Sequence, residues 1–246
     1  MRTAFFTIVD DRVYHSSGTE KMVTSFKRWH PDVDLIVYRQ DMIDKVFREK
    51  NINFYMAKPT FAKLLSPMYE LVVNVDSDHV FLARCEEILK GDYDIGAPIN
   101  KNDYENTSVQ NVTEDMFLQG GMVASTRPEF WDIWEEANRN AMDFKCKEND
   151  IMNLVIYNDP VLKEMKLKVF DKEKDYYGCK SLNRESEFYM EDDKVMCRGE
   201  QVFMYHHAKG SVPQKLDFEN MGFPKDVVDY MNAISTYGKT VRYGAF

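Results

Sequence analysis

The sequence predicts an α/β protein with a mostly parallel central sheet flanked by helices, and three stretches carry that prediction. Residues 3–9 and 35–38 are apolar, β-branched runs, and between them Met22, Val23, Phe26 and Trp29 recur at helical intervals. A strand–helix–strand unit of this kind closes a parallel pair through a right-handed crossover. Leu71, Val72, Val73 and Val75 then form a short apolar run, the pattern of a strand buried on both faces.

Taken in order, residues 3–9 are the first strand, with Asp10 and Asp11 at its C-terminal end. Ser17-Gly-Thr-Glu20 has capping-box spacing, in which the serine and glutamate satisfy the first backbone N–H groups of a helix. Pro31 stops that helix, and residues 35–38 are the second strand. Residues 41–50 form a polar amphipathic helix, and 58–65 a further helix leading into the strand at 71–75. A short helix over 85–90 and a strand or sheet edge over 94–98 follow. Residues 101–114, rich in Asn, Asp and Thr, predict a loop. Residues 117–125 turn through Gly120 and Gly121 into a strand, and Pro128 suits the first turn of a helix running to about residue 144. Residues 150–157 are helical, 171–200 charged and irregular with only short strand candidates, and 202–207 a strand that ends in His206 and His207. From Ser211 onward there is one amphipathic helix, 225–235, and a polar tail: either a C-terminal cap or the start of a linker in a longer protein.

With 246 residues the chain fits one large domain or one domain with a small appendage. A hydrophobic fraction of 44% is ample for a packed core. The net charge of −9 and the absence of a Lys/Arg stripe argue against a nucleic-acid surface. A phosphorylated small molecule, held by a few local cations, stays possible. Cys85, Cys146, Cys179 and Cys197 are widely spaced with no C-x-x-C, the usage of thiols in a reducing compartment. The apolar N-terminal run is too short for a signal peptide or a membrane span. A cytoplasmic protein is the expectation.

Asp76 and Asp78 follow the buried strand directly. Two residues apart on extended backbone, they project to one side, and the crevice beyond the strand ends of an open α/β sheet is where ligands bind. Paired carboxylate oxygens there suit a hard divalent cation, Mg2+ or Mn2+, shared with a phosphate-bearing substrate. The plainer alternative is that Asp76-Ser77-Asp78 only ends a strand and opens a turn.

These motifs, in this order, resemble the GT-A fold glycosyltransferases, nearest to the glycogenin and galactosyltransferase-like group, over roughly residues 2 to 213. The parts that carry the resemblance are Asp76-Ser77-Asp78, the upstream Ala62-Lys63-Leu64 and the downstream His207-Ala208-Lys209-Gly210. The resemblance implies a nucleotide-binding half at about 1–100, an acceptor half at 101–210, and an extension over 211–246. It implies that Thr7, Val9, Asp10, Asp11 and Tyr14 face the base and ribose, with Tyr14 stacking on a uracil. Lys63 matches the lysine that reaches the donor phosphate or neighbouring acidic groups. Gln119-Gly120-Gly121 stands at the turn against the donor sugar, where the family has Asn-Ser-Gly or similar. Glu148 and Asp150, at an acidic helix start, correspond to donor-sugar contacts or the acceptor base; capping a helix N-terminus accounts for them equally well. His207, three residues before Gly210, matches the metal-binding histidine, with His206 as the second choice because neighbouring strand residues face opposite ways. The usual phosphate lysine after it is Pro213 here, with Lys209 or Lys215 as substitutes.

The resemblance therefore implies a metal-dependent enzyme, Mn2+ or Mg2+ on Asp76, Asp78 and His207, that moves a sugar from a nucleoside diphosphate donor, UDP by preference, to an acceptor hydroxyl such as that of a glycan. Three other readings stay open. A haloacid dehalogenase-type phosphatase also places D-x-D-x-[TV] after an apolar strand, with the first aspartate as nucleophile. A nucleotidyltransferase needs a glycine-rich basic loop after the first strand, and Asp10-Asp11-Arg12-Val13 is not one. A non-catalytic nucleotide-sugar binding protein on the same scaffold is the third.

Overall fold

The computed structural model describes residues 1–11, 17–50, 57–99, 109, 112–141, 148–170, 177–180, 185–207 and 217–236. Most of the expected loop at 101–114 and the tail beyond residue 236 lie outside them, as do Tyr14, Lys209 and Gly210.

A six-stranded sheet forms the centre. It is built from β1 (Thr3–Ile8), β2 (Asp34–Tyr38), β3 (Leu71–Val75), β5 (Ile95–Pro98), β6 (Met122–Ser125) and β7 (Leu167–Phe170), in the spatial order β2-β1-β3-β6-β5-β7. β1 is parallel to β2 and β3, and β5 is parallel to β7. β6 runs antiparallel to both of its neighbours, so it alone opposes the common direction. The mixed sheet has a functional consequence. Because β6 starts where β3 ends, the Gly120-Gly121 turn lies against Asp76, whose N–H donates to the Gly121 carbonyl at 2.8 Å.

Successive side chains on the central strands alternate between two cores, as the period of a strand requires. Phe5, Leu71, Val73 and Val75 pack with α1 (Ser17–Trp29) and α7 (Lys225–Ser235). Ala4, Phe6 and Val72 pack against α3 (Lys58–Leu65), α5 (Pro128–Asn140) and α6 (Glu148–Asn158). Both faces of β3 are buried, as its unbroken apolar run predicts. The helix α2 (Gln40–Lys50) follows β2, and α4 (Glu86–Lys90) follows the short strand β4 (His79–Phe81).

A second sheet, β4-β12-β8, sits beside the first, joining β4 to β8 (Tyr177–Lys180) and β12 (Met204–His206). It carries the site histidines to the end of β3. A small antiparallel sheet of β9 (Phe188–Glu191), β10 (Lys194–Cys197) and β11 (Glu200–Gln201) covers one flank. The C-terminal helix packs onto the domain: Val227, Val228, Met231 and Ile234 belong to the core, and the Tyr230 hydroxyl donates to the Leu82 carbonyl at 3.2 Å. No helix among the described residues is long and apolar enough to cross a membrane. Two short strands, β4 and β7, escape periodicity because three or four residues are too few to display it.

Candidate active site

The crevice opens at the C-terminal end of β3. β1 is parallel to β3 with Phe6 opposite Asn74, so residues 7–10 leave the sheet at the same edge as Asp76. Thr7 and Val9 are buried there, Asp10 is nearly so, and Asp11 is exposed. The Val9 N–H is already used, donating to the Tyr38 carbonyl at 2.9 Å. The Thr7 hydroxyl is buried without a hydrogen-bond partner among the described residues.

His206 meets both aspartates at the mouth. His206 Nε2 lies 3.1 Å from Asp78 Oδ1 and 3.9 Å from Asp76 Oδ2. Burial by itself would raise the Asp78 carboxyl, but the imidazole beside it reverses this and holds it well below the usual carboxylate range. Burial would likewise lower His206, and the Asp78 charge turns that into a net rise. Gly121 leaves the space these groups need: a Cβ there would stand 2.8 Å from His206 Cε1 and 3.2 Å from Asp76 Oδ2. Adjacent ligands of an octahedral cation with bonds of about 2.1 Å are about 3 Å apart. The spacing of His206 and Asp78 therefore fits one shared cation with little movement. Two carboxylates and one imidazole form an oxygen-rich set with one nitrogen, a donor set that suits a divalent cation.

Behind the mouth is a buried ion cluster centred on Lys58. Its Nζ lies 2.8 Å from Asp76 Oδ1 and 2.8 Å from Glu148 Oε1, and it donates to the Gly120 carbonyl at 2.9 Å. Burial would depress the ammonium, but the two carboxylates outweigh it and keep Lys58 charged. Glu148 is pushed up to about 7 by burial and by the Asp76 charge, against the pull of Lys58. The neighbouring turn is held from α6. Asn149 Oδ1 accepts the Gly120 N–H at 2.9 Å, and the Leu118 N–H donates to Asn153 Oδ1 at 2.7 Å. Gly120 has no room for a side chain, since a Cβ would come 2.6 Å from Asn149 Oδ1. Gln119 presents a buried amide oxygen with no partner among the described residues.

Several expected residues thus meet: Asp76, Asp78, Gly120, Gly121 and Glu148, with Ser77 half-buried between the aspartates. Asp150, two residues further along α6, is buried. Two expectations need correction. Lys63 does not reach the crevice; it pairs with Asp132 and Glu135, each at 2.7 Å. Lys58 takes the place by the aspartates, because five residues turn the helix by about 140°. His207 is also not the imidazole beside the carboxylates. Alternation along β12 gives that position to His206, while the His207 N–H donates to the Asp78 carbonyl at 3.1 Å.

Reading the residues alone missed Lys58, although its position carried a signal. A cation at a helix N-terminus opposes the macrodipole, and the first turn of α3 has no acidic residue to offset it. Such a lysine needs an anion from elsewhere in the fold. His79 and Asn149 were missed as well.

The sequence matches no protein-family model and no curated protein. Solved structures do share its architecture. The galactosyltransferase LgtC, solved with donor and acceptor sugar analogues, superposes with a TM-score of 0.57 at 14% identity, over 97% of each chain. The bifunctional glycosyltransferase WbbM gives 0.57 at 14% identity over 95% of this chain but 49% of its own, so this chain spans about half of WbbM. A glycosyltransferase involved in glycosylation of the major capsid of PBCV-1 gives 0.56 at 10% identity, over 90% of this chain and 98% of that one. The fold of this chain, with its mostly parallel sheet flanked by helices, is the GT-A glycosyltransferase fold.

Proposed function

We propose that this chain is a metal-dependent glycosyltransferase that moves a sugar from a nucleoside diphosphate donor, UDP by preference, to an acceptor hydroxyl on a glycan. The observation that carries the reading is the convergence of Asp76, Asp78 and His206 at the ligand-binding edge of a GT-A sheet. These three side chains would hold Mn2+ or Mg2+, which would supply Lewis-acid stabilisation of the departing diphosphate.

The remaining roles belong to the chain itself. Lys58 orients Asp76 and fixes Glu148 at the wall of the crevice. Gln119 offers its buried amide oxygen to a sugar hydroxyl, and Gly120 and Gly121 allow the sugar to approach the backbone. Residues 7–11 and Tyr14 bind the nucleoside, and Lys209 contacts the diphosphate. Glu148 is the first choice for the carboxylate at the reacting centre, and Asp150 the second. The widely spaced cysteines fit a cytoplasmic setting.

The phosphatase reading is not favoured, since the structures that share the fold are glycosyltransferases. The test is a thermal-shift screen of UDP, GDP and dTDP with and without Mn2+. A ligand at 100 times its dissociation constant stabilises by about 2.7 kcal/mol, equivalent to roughly 5 to 10 °C in a domain of this size. A shift with UDP that requires Mn2+ is expected. No shift with any of the three overturns the proposal. Nucleotide-sugar binding with neither hydrolysis nor transfer to any acceptor identifies a non-catalytic binding protein instead.

A further inference from the structure

The carboxylates are not all that holds the His206 ring. His79 lies directly opposite it in the antiparallel β4–β12 pair. The two imidazoles are stacked, with centroids 4.0 Å apart and planes within 12°. His79 is fully buried. Its Nδ1 is 3.0 Å from the Asp76 carbonyl oxygen and 4.0 Å from Asp78 Oδ1. A carbonyl only accepts, so the Nδ1 proton is the one donated.

Asp78, His79 and His206 offer ligand atoms that all lie within 4.8 Å of one another, which at first suggests His79 as a further ligand. Two features argue otherwise. The Nδ1 lone pair is absent when that nitrogen donates to the carbonyl. In near-parallel stacked rings, the in-plane lone pairs also run side by side and do not converge on one ion.

We propose that His79 is a positioning residue, whose ring face holds the His206 imidazole in the rotamer that aims Nε2 at Asp78 and Asp76. The cation crevice is then formed before any cation arrives. The inference rests on reading Asp76, Asp78 and His206 as cation ligands. A free histidine must give up rotamer freedom when it ligates; His206, clamped between His79 and the carboxylates, has already done so on folding. Residues that support a metal ligand in this way typically contribute 10–100-fold in affinity.

The experiment uses Mn2+ alone as probe, by titration calorimetry, on the wild type and on the His206→Ala, His79→Ala and His79→Phe variants. Loss of binding in His206→Ala supports the ligand reading. His79→Ala is expected to bind about 10–100-fold more weakly, and His79→Phe, which keeps a flat ring in the stack, to recover most of that loss. If His206→Ala loses the ion but His79→Ala binds like the wild type, or if His79→Phe is as weak as His79→Ala, the inference alone falls. A wild type that binds no Mn2+, or a His206→Ala variant that binds it normally, removes the ligand reading and the inference with it. Should His79→Ala fail to fold, NMR of the wild type decides. The His206 ring protons should show one set of signals, shifted upfield by the stacked ring, before any Mg2+ is added. Averaged signals that settle only on adding Mg2+ would contradict a crevice formed in advance.

Discussion

Lys63 and Lys58 stand on the same short helix, and each meets two carboxylates, yet their surroundings differ. Around Lys63 the network is closed. Its partner Glu135 is 2% exposed and also accepts from the Thr60 hydroxyl at 2.7 Å, with Arg139 at 2.9 Å. Burial by itself would raise the Glu135 carboxyl, but Lys63, Thr60 and Arg139 bring it down to about 2. This cluster bolts α3 to α5. Around Lys58 the network is open on one side. Asp76 shares the ammonium but turns its second oxygen towards His206 and Asp78, whose side chain is 38% exposed at the mouth. One cation serves the fold and the other serves the crevice.

The comparison breaks most visibly at Lys58. Lys58→Met should cut the transfer rate by about 10²–10³-fold, the usual loss when a preorganised electrostatic contact is removed from a reacting centre. Its melting temperature should fall less than that of a Lys63-cluster variant, because Glu148, already raised to about 7, can take a proton and relieve the unpaired charge. Equal rates in Lys58→Met and wild type would place Lys58 with the structural lysines.

Glu135→Gln tests the closed network. It should lose about 2 kcal/mol of stability, since hydrogen bonds to charged groups are worth about 1.5–3 kcal/mol, with the transfer rate unchanged. The pH dependence has a definite sign. The folded carboxyl titrates near 2 against an ordinary 4.5, so the unfolded chain takes up the proton first as pH falls. The stabilisation is complete above pH 4.5 and is lost as pH falls towards 2. Denaturant melts of wild type and Glu135→Gln should converge over that window, and parallel curves would show that the network contributes nothing.

How far the crevice depends on shape is measured at Gly121. Gly121→Ala places a Cβ against His206 and Asp76 and should weaken Mn2+ binding by roughly tenfold, about 1.4 kcal/mol. The smallest effect is expected at the neighbouring histidine. His207→Ala should leave Mn2+ affinity unchanged in the same calorimetric titration that shows a loss for His206→Ala. The opposite ranking would restore His207 as the ligand.

Much of this architecture was legible in the residues. The buried run at 71–75, the proline at the start of α5 and the amphipathic 225–235 segment each specify their element locally. The aspartate pair was legible for the same reason, since its place depends only on the end of β3. What sequence could not resolve was set by rotation and pairing. A helix turn decides between Lys58 and Lys63, and strand alternation between His206 and His207. Motif spacing is blind to both. The antiparallel direction of β6 depends on a pairing made across the sheet, so the glycine turn and its strand were legible but the direction was not. His79 reads as an ordinary residue after an aspartate until the second sheet sets it against His206.

The central claim is that Asp78 belongs to a cation site and not to the structural frame. UDP binding by the wild type and Asp78→Ala, titrated with and without Mn2+ alongside a thermal melt of each, tests it most directly. The account predicts Mn2+-dependent UDP binding in the wild type that is lost in Asp78→Ala while the variant still folds and melts cooperatively. Undiminished Mn2+-dependent UDP binding in the variant would contradict it.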